Sequence, residues 1–283
     1  MKTTPPKKIF SPKKPNTKKQ FTELSSIEKK VPTKQITGKK TAPKKTDTRD
    51  HLTKYLAHSG LCSRRNALEV IKSGDIAVNG KTVRDAAFRL EPHDIVTYKT
   101  KPIKPEKKIY LALNKPKDYI TTLYDPYHSK TIFELIKTAT KERLYPVGRL
   151  DRETTGIILI TNDGELTQKL AHPKHEVTKV YHVILNKPLH KDDLEKIRNG
   201  IHLYDGKIAA DRTYYVAGKP KHHIGIEIHS GKNRIVRRIL KHLGYNVIQL
   251  DRVAYAGITK KGLPVGKWRF LTEAEIEKLL IKK

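Results

Sequence analysis

The chain has one cysteine, one tryptophan and one methionine, and its longest aliphatic run is only Ile157-Ile158-Leu159-Ile160. A lone Cys62 allows no intramolecular disulfide and no cysteine-based zinc cluster, which points to a reducing, cytoplasmic setting. Four aliphatic residues fall far short of the ~20 that a membrane helix needs. The first six residues, Met1 to Pro6, lead into no apolar segment. Neither a membrane partner nor a secretory signal is expected.

Acids are also scarce: 29 Asp and Glu against 59 Lys and Arg leave a net charge of +30 over 283 residues. That excess makes a polyanion the expected partner, because lysine and arginine displace the counterions condensed on a phosphate backbone. The usual cofactor signatures are missing. No G-x-G-x-x-G follows a strand pattern, and Gly231-Lys232-Asn233 lacks the upstream glycine and the Ser/Thr of a phosphate-binding loop. His172-Pro173-Lys174-His175 has neither cysteine nor helical spacing to support a metal. Asp151 and Glu153 lie two apart in a segment crowded with Arg149 and Arg152 and do not read as a glycosidase pair. No cofactor and no metal are expected.

Residues 1–48 carry 14 lysines, three acids and six prolines, a composition that cannot bury enough apolar surface to offset its ordering entropy. They read as a disordered basic arm for nucleic acid, or else as a solubilising tail. Residues 49–99 read as a small α+β module. Leu52, Tyr55 and Leu56 mark a short helix ending at Ser59-Gly60. A second helix runs from a Ser63 cap to Lys72, with Ala67, Leu68, Val70 and Ile71 turned inward. Ile76-Ala77-Val78 turns through Asn79-Gly80 into Lys81-Thr82-Val83, and Asp94 to Tyr98 closes the module. Residues 100–108, rich in lysine and proline, read as a linker.

Residues 109–283 alternate β-rich runs (109–113, 156–161, 177–185, 223–229) with helical patterns (166–171, 191–199, 233–243). The spacing is not that of a doubly wound sheet, so an α+β domain with a mainly antiparallel sheet is expected. In the last helix Ile235, Val236, Ile239, Leu240 and Leu243 share one face, and Arg234, Arg237, Arg238 and Lys241 the other. One acid stands out: Asp151, in a polar loop just before the aliphatic strand. Taken alone it reads as a surface partner of Arg149 or Arg152.

The run from His51 to Arg65, followed by Ile71-Lys72-Ser73-Gly74-Asp75-Ile76-Ala77-Val78-Asn79-Gly80-Lys81, resembles the S4 RNA-binding domain. That resemblance implies RNA contacts by Lys54, Arg64, Arg65, Lys72 and Lys81. Gly148-Arg149-Leu150-Asp151-x-x-Thr154-x-Gly156, continuing to Thr161-Asn162-Asp163-Gly164, is similar to the signature of RNA pseudouridine synthases of the RsuA/RluB branch. Lys179-x-Tyr181-x-Val183, Gly231 to Arg238 and the Gly262 to Leu271 segment extend the match, in order, over about residues 50–275.

The family resemblance implies an isomerisation of uridine needing no cofactor, with Asp151 as the catalytic aspartate, Tyr181 stacked on the flipped base and Arg237 paired with the aspartate. Arg149, Lys179, Arg234 and Arg238 are the expected RNA contacts of this domain. Ile235 stands where the family usually has glutamine. The alternative for Tyr181 is an alternating strand aromatic, and for Arg237 a phosphate contact. The expected substrate is ribosomal RNA or a pre-ribosomal particle, the large-subunit 23S RNA in preference to 16S, bound by a monomer. A non-catalytic assembly factor and a DNA-coating protein are the rival readings.

Overall fold

The computed structural model describes residues 49–122, 125 and 130–281. The basic arm assigned to residues 1–48 lies outside them. The first elements are β1 (Asp50–His51), α1 (Leu52–His58), α2 (Ala67–Ser73), β2 (Ile76–Val78), β3 (Lys81–Thr82), β4 (Arg89–Leu90), β5 (Val96–Tyr98) and β6 (Lys101–Pro102). Leu52, Leu56, Ala67 and Ile71 from the two helices meet Ile76, Val78, Leu90 and Val96 in a common core. Asn79 and Gly80, with φ of 49° and 80°, make the two-residue turn that joins β2 to β3, the backbone a type I′ hairpin demands.

One expectation for this region needs correction. Helix α2 starts at Ala67 rather than Ser63. The Ser63 hydroxyl accepts from the Asn66 amide at 3.1 Å, capping a turn that leads into the helix instead of the helix itself. The shorter helix buries only the Ala67/Ile71 stripe, leaving Val70 half-buried and Leu68 42% exposed. Residues 100–108, the expected linker, are held at both ends. Lys101–Pro102 pairs with β5, and Asn162 then pins the end of the segment, its side chain donating to Lys107 O at 2.9 Å and accepting from the Ile109 amide at 2.8 Å.

Beyond this point come β7 (Tyr110–Lys115), α3 (Ile132–Ile136), β8 (Tyr145–Pro146), β9 (Thr155–Thr161), α4 (Gly164–Ala171), β10 (Lys179–Leu185), α5 (Lys191–Asn199), β11 (Ile201–Leu203), β12 (Gly206–Ile208), β13 (Arg212–Tyr215), β14 (His223–Ile228), α6 (Ile235–His242), β15 (Val247–Tyr255), β16 (Ile258–Thr259), β17 (Trp268–Phe270) and α7 (Glu273–Ile281). The sheet runs β13-β14-β10-β15-β9-β7-β17, with β8 on β9 and β16 on β15. Every pairing is antiparallel except β15 with β9. This is the expected mainly antiparallel α+β domain. Helix α6 lays Ile235, Val236, Ile239 and Leu240 into a core with Val183, Ile224 and Ile226, as its periodicity predicts. Asp163 caps α4 by accepting from the Glu165 and Leu166 amides, both at 3.1 Å. Among the described residues no helix is long and apolar enough to cross a membrane.

Candidate active site

The parallel junction of β15 with β9 determines where Asp151 stands. Asp251 lies opposite Thr155 and Arg252 opposite Gly156. At Gly156, φ is +109°, and a Cβ would come 2.2 Å from the Arg252 carbonyl oxygen, so only glycine lets the strands close. The junction is tied by Thr155 Oγ1 donating to Asp251 Oδ1 at 2.9 Å and by Arg252 Nε donating to Ile157 O at 2.8 Å. Immediately upstream, the Thr154 amide donates to Asp151 O at 3.0 Å, closing a turn with the aspartate at its start. Thr121 Oγ1 donates to Leu150 O at 2.9 Å.

Beneath this turn lies Lys115, which is 0% exposed. Its ammonium donates to Pro116 O at 2.9 Å, Tyr119 O at 2.8 Å and Arg152 O at 3.2 Å, so its three protons bind two loops together. Burial draws its pKa down to about 8, against the pull of Asp118 and Asp151. Strand β9, the glycine and the buried lysine thus support a carboxylate at the end of a rigid element.

Arg149, Asp151, Lys179, Tyr181 and Arg234 line one cleft of about 320 Å³, with Leu250, Arg252 and residues 230–236 completing it. That volume lies at the small end of ligand pockets, ~300–1,000 Å³, and suits one nucleoside more than an extended ligand. Tyr181 is half-buried on β10, between Ile226 of β14 and Arg252 of β15, and packs against the core beneath α6. Lys179, two residues earlier, donates to Val177 O and His229 O, each at 2.7 Å. Burial lowers its pKa to about 8.

Arg237 departs from expectation. The arginine near the Asp151 carboxylate is Arg234, Nη1 to Oδ2 3.7 Å, a charge proximity too long to be a hydrogen bond. Arg234 takes φ +47° just before α6, and this left-handed residue swings its side chain over the acidic loop. Arg237, one turn into the helix, donates to Val247 O at 3.2 Å and comes within 3.9 Å of Glu153, outside the residues that line the cleft. Its side chain is 13% exposed, and its Nε is buried with no partner among the described residues. Burial and the neighbouring Arg234 lower its pKa, opposed by Glu153 and Asp151.

Of the other sequence-derived contacts, Arg64, Arg65, Lys72 and Lys81 are exposed on the S4-like module. Lys54 is committed elsewhere: it pairs with Asp50 at 2.7 Å and with Glu165 of α4, joining the module to the sheet domain. Arg238 forms a two-pronged pair with Asp205, at 2.5 and 3.1 Å. The sequence does not mark Lys115, Glu153 and Arg252 as site supports. No local signal points to Lys115, the last residue of β7, because a lysine closing a strand is ordinarily exposed. Among the described residues no three His, Cys, Asp or Glu side chains gather in a way that could hold a metal.

Comparison with known proteins resolves the two parts of the chain. A family model described as RNA pseudouridylate synthase matches residues 109–242, and the S4 domain model matches residues 52–96. Together they define an RNA-binding module joined to an RNA-modifying enzyme fold. Ribosomal large subunit pseudouridine synthase B of Bacillus subtilis (strain 168) is 36% identical over 233 residues, covering 81% of this chain and 95% of that protein. The dual-specificity RNA pseudouridine synthase RluF of Escherichia coli (strain K12) is 31% identical over 235 residues, covering 81% and 78%. A crystal structure of a pseudouridylate synthase superposes with a TM-score of 0.57 at 27% identity, covering 81% of this chain and 99% of its own. The chain belongs to the RNA pseudouridine synthases.

Proposed function

We propose that this protein converts a uridine of ribosomal RNA, in the large-subunit 23S molecule, to pseudouridine, with Asp151 as the catalytic carboxylate. The observation that carries the reading is the cleft itself: a carboxylate on a braced turn that lines one cavity with a half-buried tyrosine, Arg149 and Arg234. The large-subunit assignment draws on the printed name of the Bacillus subtilis relative.

In the reaction the C1′–N1 bond of the uridine breaks, the base turns, and C1′ bonds to C5. The C5 proton is lost and N1 gains one, so no oxidant, reductant or energy source is required. A carboxylate supports this by attacking the sugar, adding to the base or removing a sugar proton, and the cleft is compatible with each. A base extruded from the RNA stack needs an aromatic face to replace its lost stacking, the role we assign to Tyr181. Arg149, Lys179 and Arg234 surround the nucleotide. Arg237, held beside Glu153, is the reserve cation for Asp151 once RNA displaces the present ion pairs.

Residues 49–99, through Arg64, Arg65, Lys72 and Lys81, and the basic arm grip structured RNA or a pre-ribosomal particle. The protein acts as a monomer in the cytoplasm. Release of tritium from uridine labelled at C5 in ribosomal RNA tests the proposal. Asp151→Asn is expected to cut turnover by at least ~10²–10⁴-fold while leaving RNA affinity intact. Turnover by this variant at the wild-type rate would remove Asp151 from the chemistry.

A further inference from the structure

Strands β11 and β12 pair with Leu203 opposite Gly206, leaving Tyr204 and Asp205 as the two residues of the hairpin tip. Glycine, asparagine, aspartate, proline and serine dominate such positions, so turn geometry does not call for an aromatic there. Tyr204 is 91% exposed. Its ring is nevertheless ordered from one side: the Arg238 guanidinium lies 4.4 Å from the ring centroid. Arg238 is itself fixed by its two bonds to Asp205. Lys232, which lines the cleft, donates to Asp205 O at 2.7 Å and ties the tip to the rim of the site.

We propose that Tyr204 is a stacking platform for an unpaired RNA base flanking the target uridine. The inference rests on the reading of the cleft as a uridine-modifying site. A base swung into the cleft leaves its neighbours in the strand partly unstacked, and an aromatic face at the rim offers them a replacement. Three cations, Lys207 two residues after Asp205 and Lys232 and Arg238 paired with it, stand at the tip against that single acid, and the excess positive charge suits a backbone that approaches with its phosphates. The arginine behind the ring and the two-pronged pair behind the arginine hold the platform in place before RNA arrives, which reduces the ordering cost of binding. Arg238 thereby acts as a positioning residue rather than the direct RNA contact that its place on α6 suggests.

The test uses an RNA stem-loop carrying the mapped target uridine, with a fluorescent adenine analogue placed in turn at each unpaired position flanking it. Wild-type protein is expected to quench the analogue at one position, and Tyr204→Ala to abolish that quenching. The same variant should raise KM for the stem-loop roughly tenfold, within the ~5- to 150-fold that loss of one base–aromatic stack represents, with kcat unchanged. Tyr204→Phe keeps both wild-type values. Quenching and KM unchanged in Tyr204→Ala would overturn the platform, while tritium release by the wild-type protein would still uphold the enzymatic reading. A rise in KM seen with an assembled ribosomal particle but not with the naked stem-loop would assign the ring to a protein contact, and equally overturn it.

Discussion

Gly156→Ala is the substitution whose effect follows most directly from the geometry. The new Cβ would meet the Arg252 carbonyl oxygen at 2.2 Å, the Arg252 nitrogen at 2.6 Å and Asp251 Oδ1 at 2.7 Å. Two of those three are backbone atoms, so no rotamer change relieves the clash. Reaching even ~3.2 Å from the carbonyl requires β9 and β15 to part by about 1 Å, at the junction where Asp251 pairs with Thr155 and Arg252 with Gly156. A backbone φ of +109° adds strain for any residue with a Cβ, about 1–3 kcal/mol. Forcing extra volume into a packed site adds another ~1–3 kcal/mol.

The expected loss of stability is therefore about 4 kcal/mol, against a total of ~5–15 for a domain. Because Asp151 stands on the turn just before this strand, a 1 Å displacement should also reduce kcat by ~10²-fold. Gly148→Ala is the control. Its φ is +72°, but the added Cβ meets nothing within 4 Å, so it should cost only about 1–2 kcal/mol. Urea unfolding and tritium release, measured on both variants, check the difference. A Gly156→Ala protein with the wild-type midpoint and wild-type kcat would refute the claim that this close approach positions the carboxylate.

Three further outcomes are expected. Asp163→Ala removes the α4 cap and leaves Lys108 and the Tyr110 hydroxyl, now 2.9 and 2.8 Å away, without their acceptor; urea midpoints should fall by the equivalent of about 2–4 kcal/mol, with Asp163→Asn recovering the cap share. The two bonds from Arg269, each 2.7 Å, lower the Glu275 pKa to about 2, below its ordinary 4.5. This folded-state pKa is depressed, so its stabilisation is present above about 4.5 and is lost as pH falls through about 2; amide exchange in α7 should accelerate across that window, and Arg269→Ala should remove the pH dependence. Arg64→Ala should weaken RNA binding and reduce the slope of log affinity against log salt by about 1, whereas Lys54→Ala, with its charge already paired, should reduce stability and leave the slope unchanged.

The sequence alone determined the partner class, the α+β architecture and the helical face of α6. Charge excess, β-run spacing and a 3.6-residue apolar period are local properties that no tertiary contact needs to create. The motif residues Arg149, Asp151, Lys179 and Tyr181 were legible only through the family resemblance of the segments that carry them, and they do share one cleft. What only the folded chain decided was where charges end up. Lys54, Arg237 and Arg238 look alike on paper as outward-facing cations, yet each is drawn to an acid or carbonyl supplied by another element: Glu165, Val247 O with nearby Glu153, and Asp205. Likewise nothing local marks Lys115 as the brace beneath Asp151 or makes residues 100–108 part of the scaffold, because their partners lie 37 to 55 residues away along the chain for Arg152 and Asn162. An ion pair is specified by distance in space, and distance in space is the quantity that a linear sequence does not carry.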